Sequence, residues 1–270
     1  MKEFKLSHKA LVMVQGSSKG IQPKYYEDGY WYKVNNVGYE SIAERLASIV
    51  LKHSNVKEYV EYSECMINGR RGCVSKNFLK DNESFISFQR LYELYTGENL
   101  QDAIRTIGTV EGRIDMVCDF IYEHTGLEVK DYLSKILTLD MLILNTDRHF
   151  NNLGIVVNDK TSEYYIAPIF DNGNSLLSDW ERFSEDSLEE NIELVYGMPF
   201  SANLYSQAKA VGFGLELNYN ELLKELEKEP NNRAVETLKI QLNKYRSVIK
   251  DIGEPVKQDI KNKNYDEYKR

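Results

Sequence analysis

Cysteine and proline are both scarce in this chain. Three cysteines, Cys65, Cys73 and Cys118, are too few and odd in number for a disulfide framework, and they fit a reducing cytosol. Five prolines, without repeats or low-complexity blocks, leave little room for long disordered linkers. Positive charge is in deficit: 34 Lys and Arg stand against 42 Asp and Glu. The resulting net charge of -8 speaks against a nucleic-acid partner, because phosphate binding wants a surplus of Lys and Arg. No apolar stretch approaches the roughly 20 residues that span a bilayer. The opening MKEFKLSHKALVMVQG has only a short apolar run and no small-residue cleavage pattern, so it does not read as a signal peptide. Histidine is rare too, and His8, His53 and His124 show no zinc-ligand spacing with His149. What remains is a soluble, acidic chain of 270 residues, long enough for one large domain or two coupled lobes.

The patterns that are present have a clear order. Ala10-Leu11-Val12-Met13-Val14 predicts a strand running into the loop GSSKGIQPK, residues 16 to 24. Tyr25-Tyr26 and Tyr30-Trp31-Tyr32-Lys33-Val34 flank the turn signal Asp28-Gly29, a hairpin signature. From Tyr39 the period becomes helical, with Ile42, Ala43, Leu46, Ala47 and Val50 on one face. Residues 57 to 80 suit two further strands joined by the turn Asn68-Gly69, after which the chain turns helical. Ile114, Val117, Cys118, Ile121 and Tyr122 form one stripe, closed by Gly126 at a C-cap position. Val129, Leu133, Ile136, Leu137, Met141 and Leu144 form a second, apolar nearly all round at its end and therefore buried. Residues 154 to 157 and 164 to 167 read as two strands around the polar turn NDKTSE. The remainder, with NELLKELEKE and VETLKIQLNKYRSVIK, is mostly helix, and the last fifteen residues read as a charged, frayed end. The expected fold class is α+β with two lobes, residues 1–80 sheet-rich and residues 81–270 helical.

The buried helix delivers the chain into NTDRHFNNLG, residues 145 to 154, which packs an acid, two bases and three amides into ten positions. Asp147 and Asn152 stand five apart, the D-x-x-x-x-N spacing of a kinase catalytic loop. There the Asp accepts a hydroxyl proton and the Asn holds magnesium; a hard oxygen donor suits a hard cation. Alone, the spacing is weak. A hairpin then separates it from Asp171-Asn172-Gly173, a second carboxylate at a strand end before a glycine. In kinases the metal-binding Asp of D-F-G arrives by the same route, although here Asn172 stands where Phe would pack. Upstream, Gly16 and Gly20 flank Ser17, Ser18 and Lys19 in a loop whose backbone N–H groups could cover phosphates. Lys33 alternates with Tyr32 and Val34 across its strand, so it could reach phosphates and pair with an acid on the following helix. Glu44 is the best partner, with Glu40 one turn earlier in reserve.

Taken together, these segments resemble the HipA-like bacterial serine/threonine kinases, which share a fold with eukaryotic-type kinases. The resemblance rests on GSSKGIQPK with its Gln22-Pro23-Lys24 ending, WYKVN, ESIAERLAS, NTDRHFNNLG, PIFDNG and GMPF, in the right order from residue 16 to about residue 200. It implies Asp147 as catalytic base, Asn152 and Asp171 as magnesium ligands, and Lys33, held by Glu44, as the phosphate-contacting lysine. Ser17, Ser18, Lys19, Gly20 and Ile21, continuing to Lys24, would belong to a nucleotide-binding loop, with ATP and Mg2+ as cofactors. Lys76 and Phe78, with Asn77 between them, would lie against the adenine in the lobe connection. His149 would orient the catalytic loop at the nucleotide. Ser17 matches the position at which some family members phosphorylate themselves and lose activity, and Ser18 lies next to it. The chain begins almost at the first kinase strand, so the extra N-terminal subdomain of the longer toxin kinases is expected to be missing or separately encoded. That puts in doubt an antitoxin partner that docks there, while an antitoxin-like or regulatory protein partner stays open.

Blander and rival readings stand beside this one. Asp147 and Asn152 could simply cap a helix and a turn, and Lys33 could be an ordinary surface lysine. Ser17 and Ser18 could be plain loop residues. D-R-H-x-x-N also occurs in phosphoinositide lipid kinases, so a lipid or small-molecule acceptor remains an alternative to a protein. The lack of a basic amphipathic helix weighs against a lipid surface, and no membrane association is expected. A nucleotide-binding pseudokinase is the other rival, yet a dead site has no chemical need to keep Lys33, Asp147, Asn152 and Asp171 together. The expectation is a cytoplasmic, ATP-dependent phosphotransferase acting on a protein.

Overall fold

A computed structural model describes residues 1–12, 22–183 and 187–253. Its N-terminal region is built on six strands: β1 (Lys2–Phe4), β2 (Leu11–Val12), β3 (Lys24–Glu27), β4 (Tyr30–Val34), β5 (Ser63–Ile67) and β6 (Arg70–Lys76). They lie in the order β1-β5-β6-β4-β3-β2, with β1 parallel to β5 and the other neighbours antiparallel. Asp28-Gly29 and Asn68-Gly69 both take positive φ, as a two-residue hairpin turn of matching twist requires. Strand alternation then sorts β4. Tyr32 and Val34 pack with Leu6, Cys65 and Ile67 on one face, and Lys33 points from the other toward helix α1 (Glu40–Lys52).

The C-terminal region is mainly helical: α2 (Phe88–Thr96), α3 (Leu100–Arg105), α4 (Val110–Thr125), α5 (Lys130–Ile143), α6 (Leu188–Glu193), α7 (Leu204–Val211), α8 (Tyr219–Leu226) and α9 (Arg233–Lys244). Side-chain caps start most of them. Ser87, Asn99, Thr109, Asn203, Asn218 and Asn232 each accept from a backbone N–H in the first turn, satisfying donors that have no partner within the helix. Helix α5 is the centre of the core, with Leu133, Ile136, Leu137, Leu139, Met141, Leu142 and Ile143 wholly buried. It ends without glycine: Leu144 takes φ 57 and turns the chain into the following loop. That conformation is costly for a branched side chain and persists because the core holds Leu144.

Several expectations change in the structure. The first strand is only β2; Ala10 belongs to a short 3-10 turn, and Met13 and Val14 lie outside the described residues. The chain does not become helical directly after residue 80. Strand β7 (Glu83–Ser87) pairs with β8 (Gly154–Asn158), which pairs with β9 (Tyr164–Ile166), so the expected hairpin is two-thirds of a three-stranded sheet. A strand whose partner is far away in sequence leaves no turn signal, which is why β7 was not legible. Strands β10 (Glu216–Leu217) and β11 (Lys250–Asp251) form a further short pair that interrupts the helical remainder. Gly126 does close α4 in the left-handed conformation, but Tyr122 of the expected stripe is exposed. The last fifteen residues lie outside the described residues.

Helix α1 belongs to both regions. Ala47, Val50 and Leu51 enter the helical core, while Arg45 bridges Glu64 of β5 and Glu229 after α8. At its start, Tyr39 donates its N–H to Ser178 O and its hydroxyl to Leu176 O or Leu177 O. Gly38 makes this approach possible: a Cβ there would lie 1.7 Å from Ser178 O. Gly38→Ala should therefore lower unfolding stability by about 1–3 kcal/mol, read as a shifted urea midpoint. An unchanged midpoint would mean that the two segments do not abut as described.

Candidate active site

Three charged side chains meet where β4, the following helix α1 and the distant turn at Asp171 come together. Lys33 Nζ donates to Glu44 Oε1 and to Asp171 Oδ1, each at 2.7 Å. Lys24, opposite Lys33 on β3, lies 3.9 Å from Asp171 Oδ2. Glu44 is 1% exposed, and its second oxygen accepts the N–H of Asn172 at 2.9 Å. Glu40, the reserve partner, instead accepts the N–H groups of Asn36 and Val37 at the start of α1. Burial by itself would lower the Lys33 pKa, but the Asp171 and Glu44 carboxylates reverse this and raise it well above its ordinary value. Burial likewise pushes the Asp171 carboxyl up. The Lys33 and Lys24 ammonium groups overcome that and hold it well below the usual carboxylate range. Gly173 lets this turn sit against α1, since a Cβ there would meet Glu40 Cβ at 3.3 Å.

The loop after α5 is held by amides. Asn145 donates to Asp140 Oδ1 and accepts the Asp147 N–H, both at 3.0 Å. Asn152 Nδ2 donates to Asp147 O at 2.9 Å, so the five-residue spacing closes the loop on itself. Asn174 Nδ2 donates to Asp147 Oδ2 at 2.9 Å. His149 Nε2 stands 4.0 Å from the same oxygen, and among the described residues no hydrogen-bond partner meets its buried Nδ1. No group of three or more His, Cys, Asp or Glu suited to a metal gathers among the described residues.

Arg148, next to Asp147, has no exposed surface. It makes a two-pronged pair with Asp140 at 3.0 Å for each prong, and it donates to Phe170 O and Asn172 Oδ1, both at 2.6 Å. Asn172, where Phe stands in D-F-G, thus works by hydrogen bonding rather than by ring packing. Aromatic packing occurs one residue earlier. Phe170 contacts Phe78 and Phe85, with ring centroids 5.5 and 5.4 Å away.

The structure brings Lys33, Glu44 and Asp171 into direct contact, and it joins Asp147, Asn152 and His149 within one loop. Phe78 packs against Phe170 and so touches the site indirectly. Lys76 is exposed at the end of β6, on the rim of a cavity of about 460 Å³ that Tyr59, Val60 and Glu61 also line. Ser17, Ser18, Lys19, Gly20 and Ile21 lie outside the described residues. Asp140, Arg148, Asn172 and Asn174 were not singled out as site residues from the sequence. One signal existed: an acid inside the apolar run that ends α5 needs a buried partner. GMPF anchors helices, its carbonyls accepting from Gln101, Arg113 and Gln207, and Phe150 meets Phe200 edge to face.

No family model and no curated protein matches this sequence. Among solved structures, the crystal structure of a Helicobacter pylori proinflammatory kinase, CtkA, is similar with a TM-score of 0.60, 16% identity and coverage of 92% of this chain and 94% of that one. The fold is that of a kinase. A second similar structure is HipA of Shewanella oneidensis MR-1, from its toxin–antitoxin complex with HipB and operator DNA. It has a TM-score of 0.49, 12% identity and coverage of 90% of this chain and 67% of that one.

Removing Arg148 would leave Asp140 as an unpaired buried charge. Arg148→Met should cost about 3–5 kcal/mol in urea unfolding, and Asp140→Leu added to it should recover part of that loss. If the single variant were as stable as the wild type, the buried pair would not be holding the loop.

Proposed function

We propose that this protein is an ATP- and magnesium-dependent kinase that transfers the γ-phosphoryl group to a Ser or Thr hydroxyl of a protein. One observation carries the reading. A lysine of the sheet is paired with a glutamate of the next helix and with the aspartate of D-x-G, within a kinase fold that also holds an Asp and Asn five apart on its loop. In this reading residues 1–80 form the smaller lobe and residues 81–270 the larger, with ATP between them.

Each residue then has a task. Glu44 keeps Lys33 extended and charged, so that its ammonium can meet the nucleotide phosphates. Asp147 takes the proton as the acceptor O–H bond breaks. The new O–P bond forms while the bond from the γ-phosphorus to the bridging oxygen breaks, and ADP leaves with that electron pair. Asp171 and the amide oxygen of Asn152 are hard donors, and Asn152 has already committed its nitrogen to Asp147 O. Two such protein oxygens, completed by phosphates and water, suit magnesium. When bound, the ion would supply neutralisation of charge on the transferring group. Lys76, Phe78 and His149 would contact the nucleotide, and residues 17 to 21 would cover its phosphates. The three cysteines are all free thiols, which fits a reducing compartment, and no helix among the described residues is long and apolar enough to cross a membrane.

Two variants separate binding from chemistry. Asp147→Ala should retain magnesium-dependent ATP binding, seen as a thermal shift, and lose phosphate transfer by about 10²-fold or more. Asp171→Ala should lose the magnesium-dependent shift itself. Transfer persisting in both would overturn the assignment. Ser17 and Ser18 are the candidate acceptors for autophosphorylation. Wild-type protein incubated with ATP and magnesium should gain phosphate mass there, while the Asp147→Ala variant should not.

A further inference from the structure

Among the described residues the carboxylate of Asp147 has one hydrogen-bond donor, and that donor is not on its own loop. The backbone of Asp147 is fixed on both sides, by Asn145 at its N–H and by Asn152 and the His149 N–H at its carbonyl. None of these bonds sets the side-chain torsions. Asn174 does, through Nδ2 on Oδ2, and among the described residues no donor reaches Oδ1. Asn174 is itself held: its carbonyl accepts the Thr146 N–H at 3.0 Å and the Thr146 hydroxyl at 3.2 Å. It also lies three residues beyond Asp171, on the turn that Glu44 and Arg148 clamp through Asn172.

We infer that Asn174 is a positioning residue for phosphoryl transfer: it pins one oxygen of Asp147 so that the other faces the acceptor hydroxyl, and it ties the base to the Asp171 turn. This rests on the kinase reading above. The chemistry favours an amide. A lysine here would place a full positive charge against the base and weaken its hold on the proton. A carboxylate would repel it at 2.9 Å. A neutral N–H donor orients the carboxylate with the least change in its charge. The gain is geometric, since a base displaced by about 1 Å can lose about 10²-fold in rate.

The experiment measures ATP turnover and phosphate transfer to casein together, for wild type, Asn174→Ala, Asn174→Asp and Asn174→Gln, each also in an Asp147→Asn background. Asn174→Ala should lower kcat by about 10- to 100-fold and leave KM for ATP within about twofold, with Asn174→Asp at least as impaired. Asn174→Gln, which keeps the donor on a longer arm, should recover part of the rate. In the Asp147→Asn background the Asn174 substitutions should cause no further loss, because residues acting as one unit are not additive. An Asn174→Ala enzyme with wild-type kcat, or one changed only in KM, would overturn the inference and leave the kinase reading intact. Additive losses in the double variants would do the same. A wild-type protein with neither turnover nor transfer would overturn the kinase reading and this inference with it.

Discussion

A guanidinium with no surface in water holds the site together. Arg148 is fully buried, and a charge in that position persists only if it is neutralised and its nitrogens find acceptors. Asp140 supplies the charge, and Phe170 O and Asn172 Oδ1 supply acceptors. These partners come from the end of α5 and from the turn after β9, so satisfying one side chain fixes the spacing of the two loops that carry Asp147 and Asp171. Asp140 also holds Asn145, which holds the Asp147 N–H. On the other side the Asn172 N–H reaches Glu44, which holds Lys33. A continuous run of hydrogen bonds therefore joins the sheet lysine to the loop aspartate, and in a low-dielectric interior each missing partner would be costly.

The same run depends on where α1 sits. Glu44 can serve both Lys33 and Asn172 only if its helix is kept close to the sheet and to the Asp171 turn. Contacts along its length do this. Gly38 and Tyr39 meet residues 176 to 178 at its start, Arg45 ties it to Glu64 and Glu229 in the middle, and Lys52 and His53 meet Glu225 at its end. Its apolar face enters the core shared with α5, α8 and α9. Exposed pairs such as Lys52–Glu225 contribute little each; the buried face and the satisfied backbone groups position the helix. The chemistry of the site is local, but its geometry is set by packing tens of residues away.

Much of this was legible before any coordinates. The turns Asp28-Gly29 and Asn68-Gly69 marked the hairpins because few residues tolerate positive φ. The period change at Tyr39 marked α1, and alternation put Lys33 on the face opposite Tyr32 and Val34. Glu44 was preferred to Glu40 from helix spacing alone, and Glu44 is the residue Lys33 contacts. Other features left no local trace. Strand β7 is short and its partner lies about seventy residues on. The left-handed Leu144 has no glycine to announce it, since the core pays for its backbone. Asn172 was legible only as the residue standing where Phe would pack, nothing local marked Asn174, and contacts alone gave each its place: one faces Arg148 and Glu44, the other faces Asp147.

By itself, then, the sequence determined the order of the two hairpins, helix α1 and the two polar loops, the faces on which Lys33 and Glu44 would emerge, and the residue types available for chemistry. These follow from backbone sterics and side-chain periodicity, which act over a few residues. Only the tertiary structure decided which amide serves which acid, that Arg148 and Asp140 neutralise each other without water, and that helix α1 is braced from the far end of the chain. Those outcomes follow from desolvation. A buried polar group must find a partner somewhere, and where that partner comes from in the sequence is settled by how the whole core packs.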